Sequence, residues 1–239
     1  MQTAVITGIS RGLGAALFDQ LHARGDRVVG IGRRFTAAQE ELAAAEPERV
    51  VLRTADLARP VSLPAAPELR GWLSGSAFAA LVHNAATVQP IGAIGTLPPQ
   101  AVVGAVSTNL TAPMLLSNAF LAALPDGVPA TVLFVSSGAA HRVVGGWAVY
   151  STTKRGGEAF FEALAAQVRA GCAGAPVHVA SVNPGVMDTG MQASIRDTAT
   201  RSGYFPEADH FLRLHRDGDL ADPASVAREL ISAHLSPAR

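Results

Sequence analysis

At 239 residues, with 19 basic and 19 acidic side chains and basic residues scattered along the chain, the sequence has no net charge and no electrostatic footprint for nucleic acid or an anionic membrane. Apolar segments are spread evenly without a linker, so residues 1–239 read as one domain large enough to need neither a disulfide nor a structural metal. No apolar stretch approaches membrane-spanning length and Met1 leads directly into a strand-like run, which makes a cytoplasmic protein the expectation; the lone Cys172 reads as a small apolar filler.

Residues 3–7 form a short apolar run ending in Gly8-Ile9-Ser10-Arg11-Gly12-Leu13-Gly14, followed by a helical pattern over 15–23. Strand, glycine turn and helix is the context of a dinucleotide loop, in which glycines let a pyrophosphate approach the free N–H groups of the helix N-terminus. A second strand over 27–31 ends in Gly32-Arg33-Arg34, where an acid would grip the ribose 2′-hydroxyl of NAD. Arg33, Arg34 and Arg11 instead suit the 2′-phosphate of NADP(H), because a guanidinium presents a bidentate fork to phosphate.

A third strand over 50–54 closes with Asp56-Leu57, whose carboxylate could accept a hydrogen bond from an adenine amino group or cap the next helix. Three prolines between 59 and 67 shorten or delay any helix before Gly75. The fourth strand, 79–83, delivers Asn84-Ala85-Ala86 to the sheet edge, a combination suited to backbone lying close to a ligand. Residues 99–124 are helical but interrupted near Asn109 and Pro113; an Asn within a helix competes for backbone groups and is either structural or holds a water.

A fifth strand, 131–135, carries Ser136-Ser137-Gly138 to the same edge, and a loop with His141, Arg142 and Trp147 leads to Tyr150-Ser151-Thr152-Thr153-Lys154. On a helix this spacing puts phenol and ammonium one turn apart on one face, where the ammonium is expected to lower the phenol's pKa towards that of a general acid for carbonyl reduction. Lys154 is the only lysine of an arginine-rich chain. Gly156 and Gly157 are costly in a helix and permit close approach to the sheet or to a partner helix.

The sixth strand, 177–182, ends in Asn183-Pro184-Gly185-Val186-Met187-Asp188-Thr189. Residues 190–220 lack regular periodicity yet hold Met191, Tyr204, Phe205 and Phe211, so an irregular substrate lid is expected over about 188–220. Asp222-Pro223 is a good N-cap and N1 pair for a last helix reaching about Leu235. This alternation predicts an α/β, Rossmann-type, doubly wound parallel sheet of six or seven strands with helices on both faces and ligands at the carboxyl strand ends. An apolar wall of Trp147, Met187, Met191 and Phe205 is the expected substrate pocket, and no metal is invoked.

With these residues assembled, the chain resembles the short-chain dehydrogenase/reductase family over nearly its whole length, through Thr7-Gly-x-x-x-Gly12-x-Gly14, Asn84-Ala85, Asn109, Ser137, Tyr150-x-x-x-Lys154 and Asn183-Pro184-Gly185. The resemblance implies that Tyr150 donates a proton to a carbonyl oxygen and that Lys154 lowers its pKa and binds the nicotinamide ribose. Ser137, thirteen residues before the tyrosine, would orient the carbonyl, and Asn109 would hold a relay water. Thr189 and the backbone near Val186 would hold the carboxamide, and Arg11 and Arg33 match positions that select NADP.

Residues 184–192, Arg196 and 214–223 are similar to the sepiapterin reductase and bacterial benzil reductase subgroup, whereas His83 and Ala86 depart from the family's usual Asn and Gly. The chain stops at Arg239 after its last helix, without the acidic tail that anchors pterin in sepiapterin reductases, which points to a dicarbonyl or aromatic ketone. The resemblance therefore implies an NADPH-dependent carbonyl reductase, a homodimer pairing through the helices around Asn109 and Tyr150. The alternatives are an NADP-dependent alcohol dehydrogenase, a pterin reductase, or a non-catalytic dinucleotide sensor.

Overall fold

The computed structural model describes residues 1–171, 174–201 and 204–236, so Cys172 lies outside the described residues. Six strands, β1 (Gln2–Thr7), β2 (Arg27–Gly32), β3 (Val50–Thr54), β4 (Phe78–His83), β5 (Ala130–Val135) and β6 (Val177–Val182), form one sheet in the order β3-β2-β1-β4-β5-β6. Every neighbouring pair is parallel. The inner strands read as continuous apolar runs because both of their faces are covered. Among the described residues there is no seventh strand, and β6 is an edge strand with His178 and Ser181 exposed.

Alternation along the strands sends successive side chains to opposite faces. Val5, Val29, Leu81 and Val132 meet Leu69 of α3 (Ala66–Leu73), Leu116 and Phe120 of α5 (Ala112–Ala123) and Phe161 of α6 (Ala148–Arg169). Ala4, Ile6, Val28 and Val82 meet Leu17, Phe18 and Leu21 of α1 (Gly12–Arg24) and Ala227 and Leu230 of α9 (Pro223–His234). The prolines before Gly75 leave a single short turn at Pro60–Ser62 ahead of α3. Asp222 caps α9 by accepting from the N–H groups of Ala224 at 3.2 Å and Ser225 at 3.0 Å.

Two features depart from the sequence reading. Residues 190–220 are not irregular: they form α7 (Gly190–Arg201) and α8 (Ala208–Arg216). Few apolar anchors obscure the period of α7, whereas α8 is strongly amphipathic, with Ala208, Phe211 and Leu214 on one face. The interruption near Asn109 is a π-helical turn at Ser107–Thr111, between α4 (Pro99–Val106) and α5, rather than a break. The remaining helix, α2 (Ala37–Ala45), follows β2.

Gly157 shows why α6 lies so close to the sheet. A Cβ there would sit 2.5 Å from the Phe134 ring of β5, and one at Gly156 would touch Leu110 of the π turn at 3.4 Å. No helix among the described residues is long and apolar enough to cross a membrane.

Candidate active site

The order of the sheet reverses between β1 and β4, and the crevice outside their carboxyl ends is where such sheets bind ligands. Thr7, the last residue of β1, accepts at its hydroxyl oxygen from the N–H groups of Asn84 at 3.1 Å and Ala85 at 3.0 Å. Asn84 Nδ2 in turn donates to the carbonyls of Thr7 at 3.0 Å and Gly8 at 2.9 Å, tying the loop after β4 to the glycine loop. Gly8 at φ 75° and Gly12 at φ 55° occupy the left-handed region, which other residues enter at a cost. At Gly14 a Cβ would lie 2.0 Å from the Gly8 carbonyl oxygen.

Arg11 precedes α1 in extended backbone and its side chain makes no capping bond, which leaves the first N–H groups of α1 open to an anion. The exposed Arg11 side chain lies along Gly190, within 3.4 Å of where a Cβ would be, while Gly12 faces Thr189 Cγ2. The loop is thus spanned from the first turn of α7 rather than from Arg33. Arg33 and Arg34 are exposed and have no ion-pair partner among the described residues. Ser10 stands half-buried in the loop, whereas Leu13 packs into the core beneath it.

Gln39 was not anticipated. It forms a capping box with Thr36 and donates from Nε2 to the Ile9 carbonyl at 2.8 Å, anchoring the glycine loop to α2. The Thr-x-x-Gln spacing was the legible signal. Asp56 does not cap the helical turn that follows, which begins after Arg59; its Oδ1 accepts from the Ala58 N–H at 3.1 Å, and Leu57 is buried. Pro184-Gly185-Val186 turns at Gly185, φ 76°, whose N–H donates to Asn183 Oδ1 at 3.1 Å.

The helix α6 carries Tyr150 and Lys154 on its buried face. Tyr150 is 5% exposed, with the Trp147 ring edge-on at 5.4 Å. Lys154 Nζ donates to the Val135 carbonyl at 2.7 Å and stands 4.8 Å from the Phe134 ring centre and 5.8 Å from that of Tyr150. Burial lowers the ammonium to about 7, against the opposing pull of Glu158. The expected lowering of the phenol by Lys154 is not found. Burial raises the Tyr150 pKa, and a hydrogen bond with Ser137 only partly offsets it. Desolvation of the phenolate prevails because the ammonium is itself destabilised and is held by a backbone carbonyl.

The two serines after β5 have separate partners. Ser136 donates to Glu158 Oε1 at 2.5 Å, and Glu158 Oε2 pairs with His141 at 2.8 Å, while Ser137 Oγ accepts from the Ala139 N–H at 3.2 Å and stands near enough to Tyr150 to lower the phenol's pKa. The Asn109 side chain is consumed: Oδ1 accepts from the Thr87 N–H at 2.8 Å, and Nδ2 donates to the Thr87 carbonyl at 2.8 Å and to Thr153 Oγ1 at 3.1 Å. It locks the π turn to the loop after β4 and, through Thr153, to the Tyr150 carbonyl at 2.8 Å.

Trp147, Phe205, Phe211 and Ile195 bury Tyr150, with Met191 packed against them. Met187 is elsewhere: it packs on the core between the sheet and α1, and pairs in a parallel bridge with Ala221. Phe211 joins the cluster instead, 5.0 Å from the Trp147 ring centre. Beyond it, Ile91, Leu97, Pro98 and Tyr204 line a cavity of about 570 Å³.

His83, at the end of β4, bonds Ser117 at 2.9 Å through Nε2, while Nδ1 has no partner. Burial, aided by Lys154, holds its pKa at about 3. Between pH 6.5 and 3 the unfolded chain therefore takes up a proton that the folded chain refuses, so stability falls with pH across that window. From pH 6.5 to pH 5 the folded protein should lose about 2 kcal/mol that a His83→Gln variant does not lose. Urea unfolding of both proteins at the two pH values measures the difference.

A family model described as short chain dehydrogenase matches residues 2–200. This chain belongs to the short-chain dehydrogenase family. Its membership makes it an oxidoreductase of a family that uses nicotinamide dinucleotides. The chain is 32% identical to a benzil reductase ((S)-benzoin forming) of Bacillus cereus over 234 residues, 96% of this chain and 92% of that one. It is also 32% identical to a sepiapterin reductase of Meriones unguiculatus over 243 residues, 95% and 89% of the two chains. Among solved structures, a short-chain dehydrogenase/reductase from Burkholderia vietnamiensis aligns at TM-score 0.66 with 33% identity, covering 84% of this chain and 92% of that one. The KRED1-Pglu enzyme aligns at 0.79 with 25% identity over 100% and 97%. The glycine loop, with no room for a Cβ at Gly14 and open helix N–H groups, fits the pyrophosphate that the short-chain dehydrogenases bind.

Proposed function

We propose that this chain is an NADPH-dependent carbonyl reductase acting on ketones and 1,2-dicarbonyls, with a benzil-like diketone as the favoured substrate. The observation that carries the reading is that Tyr150 and Lys154 share the buried face of α6, one helical turn apart, with the Ser137 hydroxyl near enough to the phenol to lower its pKa, at the same sheet edge as the glycine loop. Similarity to the Bacillus cereus benzil reductase supports the substrate class.

When bound, the dinucleotide supplies a hydride to the carbonyl carbon. Gly8, Ser10, Arg11, Gly12 and the first turn of α1 hold its pyrophosphate, Asn84 and Ala85 line the groove, and Val186 and Thr189 hold its carboxamide end. Ser137 orients the carbonyl, and Tyr150 protonates its oxygen. Because burial raises the pKa of Tyr150, the phenol keeps its proton at neutral pH, which is the form reduction needs and the reverse oxidation does not. Lys154, whose Nζ donates to the Val135 carbonyl, would bind the ribose and replenish the phenol. With the Asn109 side chain occupied, the π turn around it is what offers a backbone carbonyl to a relay water. Homodimerisation through α4 to α6 belongs to the same reading, supported by exposed Val103, Met114 and Leu115.

Arg33 and Arg34 are the residues assigned to the 2′-phosphate. Loss of charge-assisted hydrogen bonds there costs about 1.5–3 kcal/mol, so changing both to Ala should raise KM for NADPH about 10- to 100-fold. The KM for NADH should stay within a factor of about three. Steady-state assays with 1-phenyl-1,2-propanedione and each cofactor test this; a wild type that prefers NADH overturns the NADPH assignment.

A further inference from the structure

Trp147 and three residues of the helices that carry the aromatic cluster keep buried polar atoms without hydrogen-bond partners: Trp147 Nε1, both polar atoms of Gln192 and Nη1 of Arg196 on α7, and Oε2 of Glu207 at the start of α8. Each such atom costs about 1–3 kcal/mol if nothing pairs with it, so an apolar residue would serve packing alone better. Gln192 is the most extreme, 2% exposed on the first turn of α7. Its neighbour Met191 and Ile195, one turn along and on the same helix face, both pack into the cluster that buries Tyr150. The Trp147 ring, whose N–H is also unpartnered, meets Tyr150 edge-on at 5.4 Å.

We infer that the Gln192 carboxamide and the Trp147 indole N–H form a recognition site for a second, neutral oxygen of the substrate, adjacent to the carbonyl that faces Tyr150. The inference rests on the carbonyl-reductase reading and deepens it. A vicinal dicarbonyl carries two acceptor oxygens on adjacent carbons, one for Tyr150 and Ser137, the other within reach of donors that start three residues before Tyr150. Arg196, one turn from Gln192 on α7, and Glu207 at the start of α8 carry one charge of each sign, so the two helices bring no net charge of either kind from this pair. Glu207 is further tied down by accepting the Gly145 N–H at 2.9 Å, which fixes the backbone just ahead of Trp147.

The test compares kcat/KM for 1-phenyl-1,2-propanedione and for propiophenone, which carries a methylene in place of the second carbonyl. The diketone is intrinsically the more reactive, but that factor cancels when the ratio of the two substrates is compared between wild type and variant. In Gln192→Met the ratio should fall at least tenfold, since a site built to pair an oxygen discriminates through the pairing it loses. Trp147→Phe, which keeps an aromatic ring on Phe205, should lower the ratio in the same direction. NADPH affinity and melting temperature of each variant identify any that fail to fold, and the other variant then decides.

A parallel fall for both substrates, or a ratio that stays within a factor of two, assigns these groups to packing or to bound water and overturns the inference while leaving the reductase reading intact. Preference for benzoylformate over the neutral diketone would give the subsite to Arg196 and also overturn it. A wild type that reduces neither ketone with either nicotinamide overturns the reductase reading itself.

Discussion

Replacing Tyr150 with Phe should lower turnover with an activated ketone by about 10²–10⁴-fold, the range that a general acid contributes, while NADPH affinity stays within a factor of about three. The phenol ring is what packs against Trp147, and Phe retains that contact. The hydroxyl is what meets Ser137, and Phe deletes it. The variant therefore separates proton donation from architecture. Single-turnover reduction measured beside NADPH binding by fluorescence distinguishes them. Parallel loss of affinity and turnover would make the phenol a structural post instead of a donor.

Gly14→Ala is the second large effect. The added methyl would stand 2.0 Å from the Gly8 carbonyl oxygen and 2.5 Å from Asn84 Nδ2. Neither can retreat easily, because each is half of the hydrogen bond that joins the glycine loop to the loop after β4. Overpacking against backbone belongs at or beyond the upper end of the usual 1–3 kcal/mol, so we expect a weakening of about 100-fold or more in NADPH binding, a lower melting temperature, or both. Gly71→Ala in α3 is the control, because its Cβ would meet nothing and a helix-interior Ala gains about 1 kcal/mol over Gly. Equal behaviour of the two variants would refute the steric account of the loop.

The layers and inner strands of the fold were legible because a parallel sheet buried on both faces is written as nearly uninterrupted apolar runs, as over 78–83 and 130–135. The glycine loop was legible for the opposite reason: its chemistry is local, and Gly8, Gly12 and Gly14 are read from spacing alone. What depends on tertiary packing was not. The helix α7 buries few apolar anchors beyond Ile195, too few for a clear period, whereas α8 sets Ala208, Phe211 and Leu214 at helical spacing and its period is present in the sequence. Met187 lies four residues before Met191, yet with its parallel bridge to Ala221 it packs on the core between the sheet and α1, away from the aromatic cluster.

The direction of the Tyr150 pKa was misjudged for a similar reason. One helical turn brings Lys154 close, but the burial that raises the phenol's pKa is set by Ile195 of α7, Phe211 of α8 and the loop residues Trp147 and Phe205. Gln192 carries no signal of its own in the sequence; that both ends of its carboxamide are stranded is visible only once α7 is folded.

The most direct measurement of the central claim is the stoichiometry of NADPH oxidation against benzoin formation with benzil as substrate, in wild type and in Tyr150→Phe. One benzoin per NADPH in the wild type, with both signals falling together by at least 10²-fold in the variant, is the predicted result. NADPH that binds tightly but is consumed with no activated ketone would contradict the account and make the chain a nucleotide-binding relative of these enzymes without their chemistry.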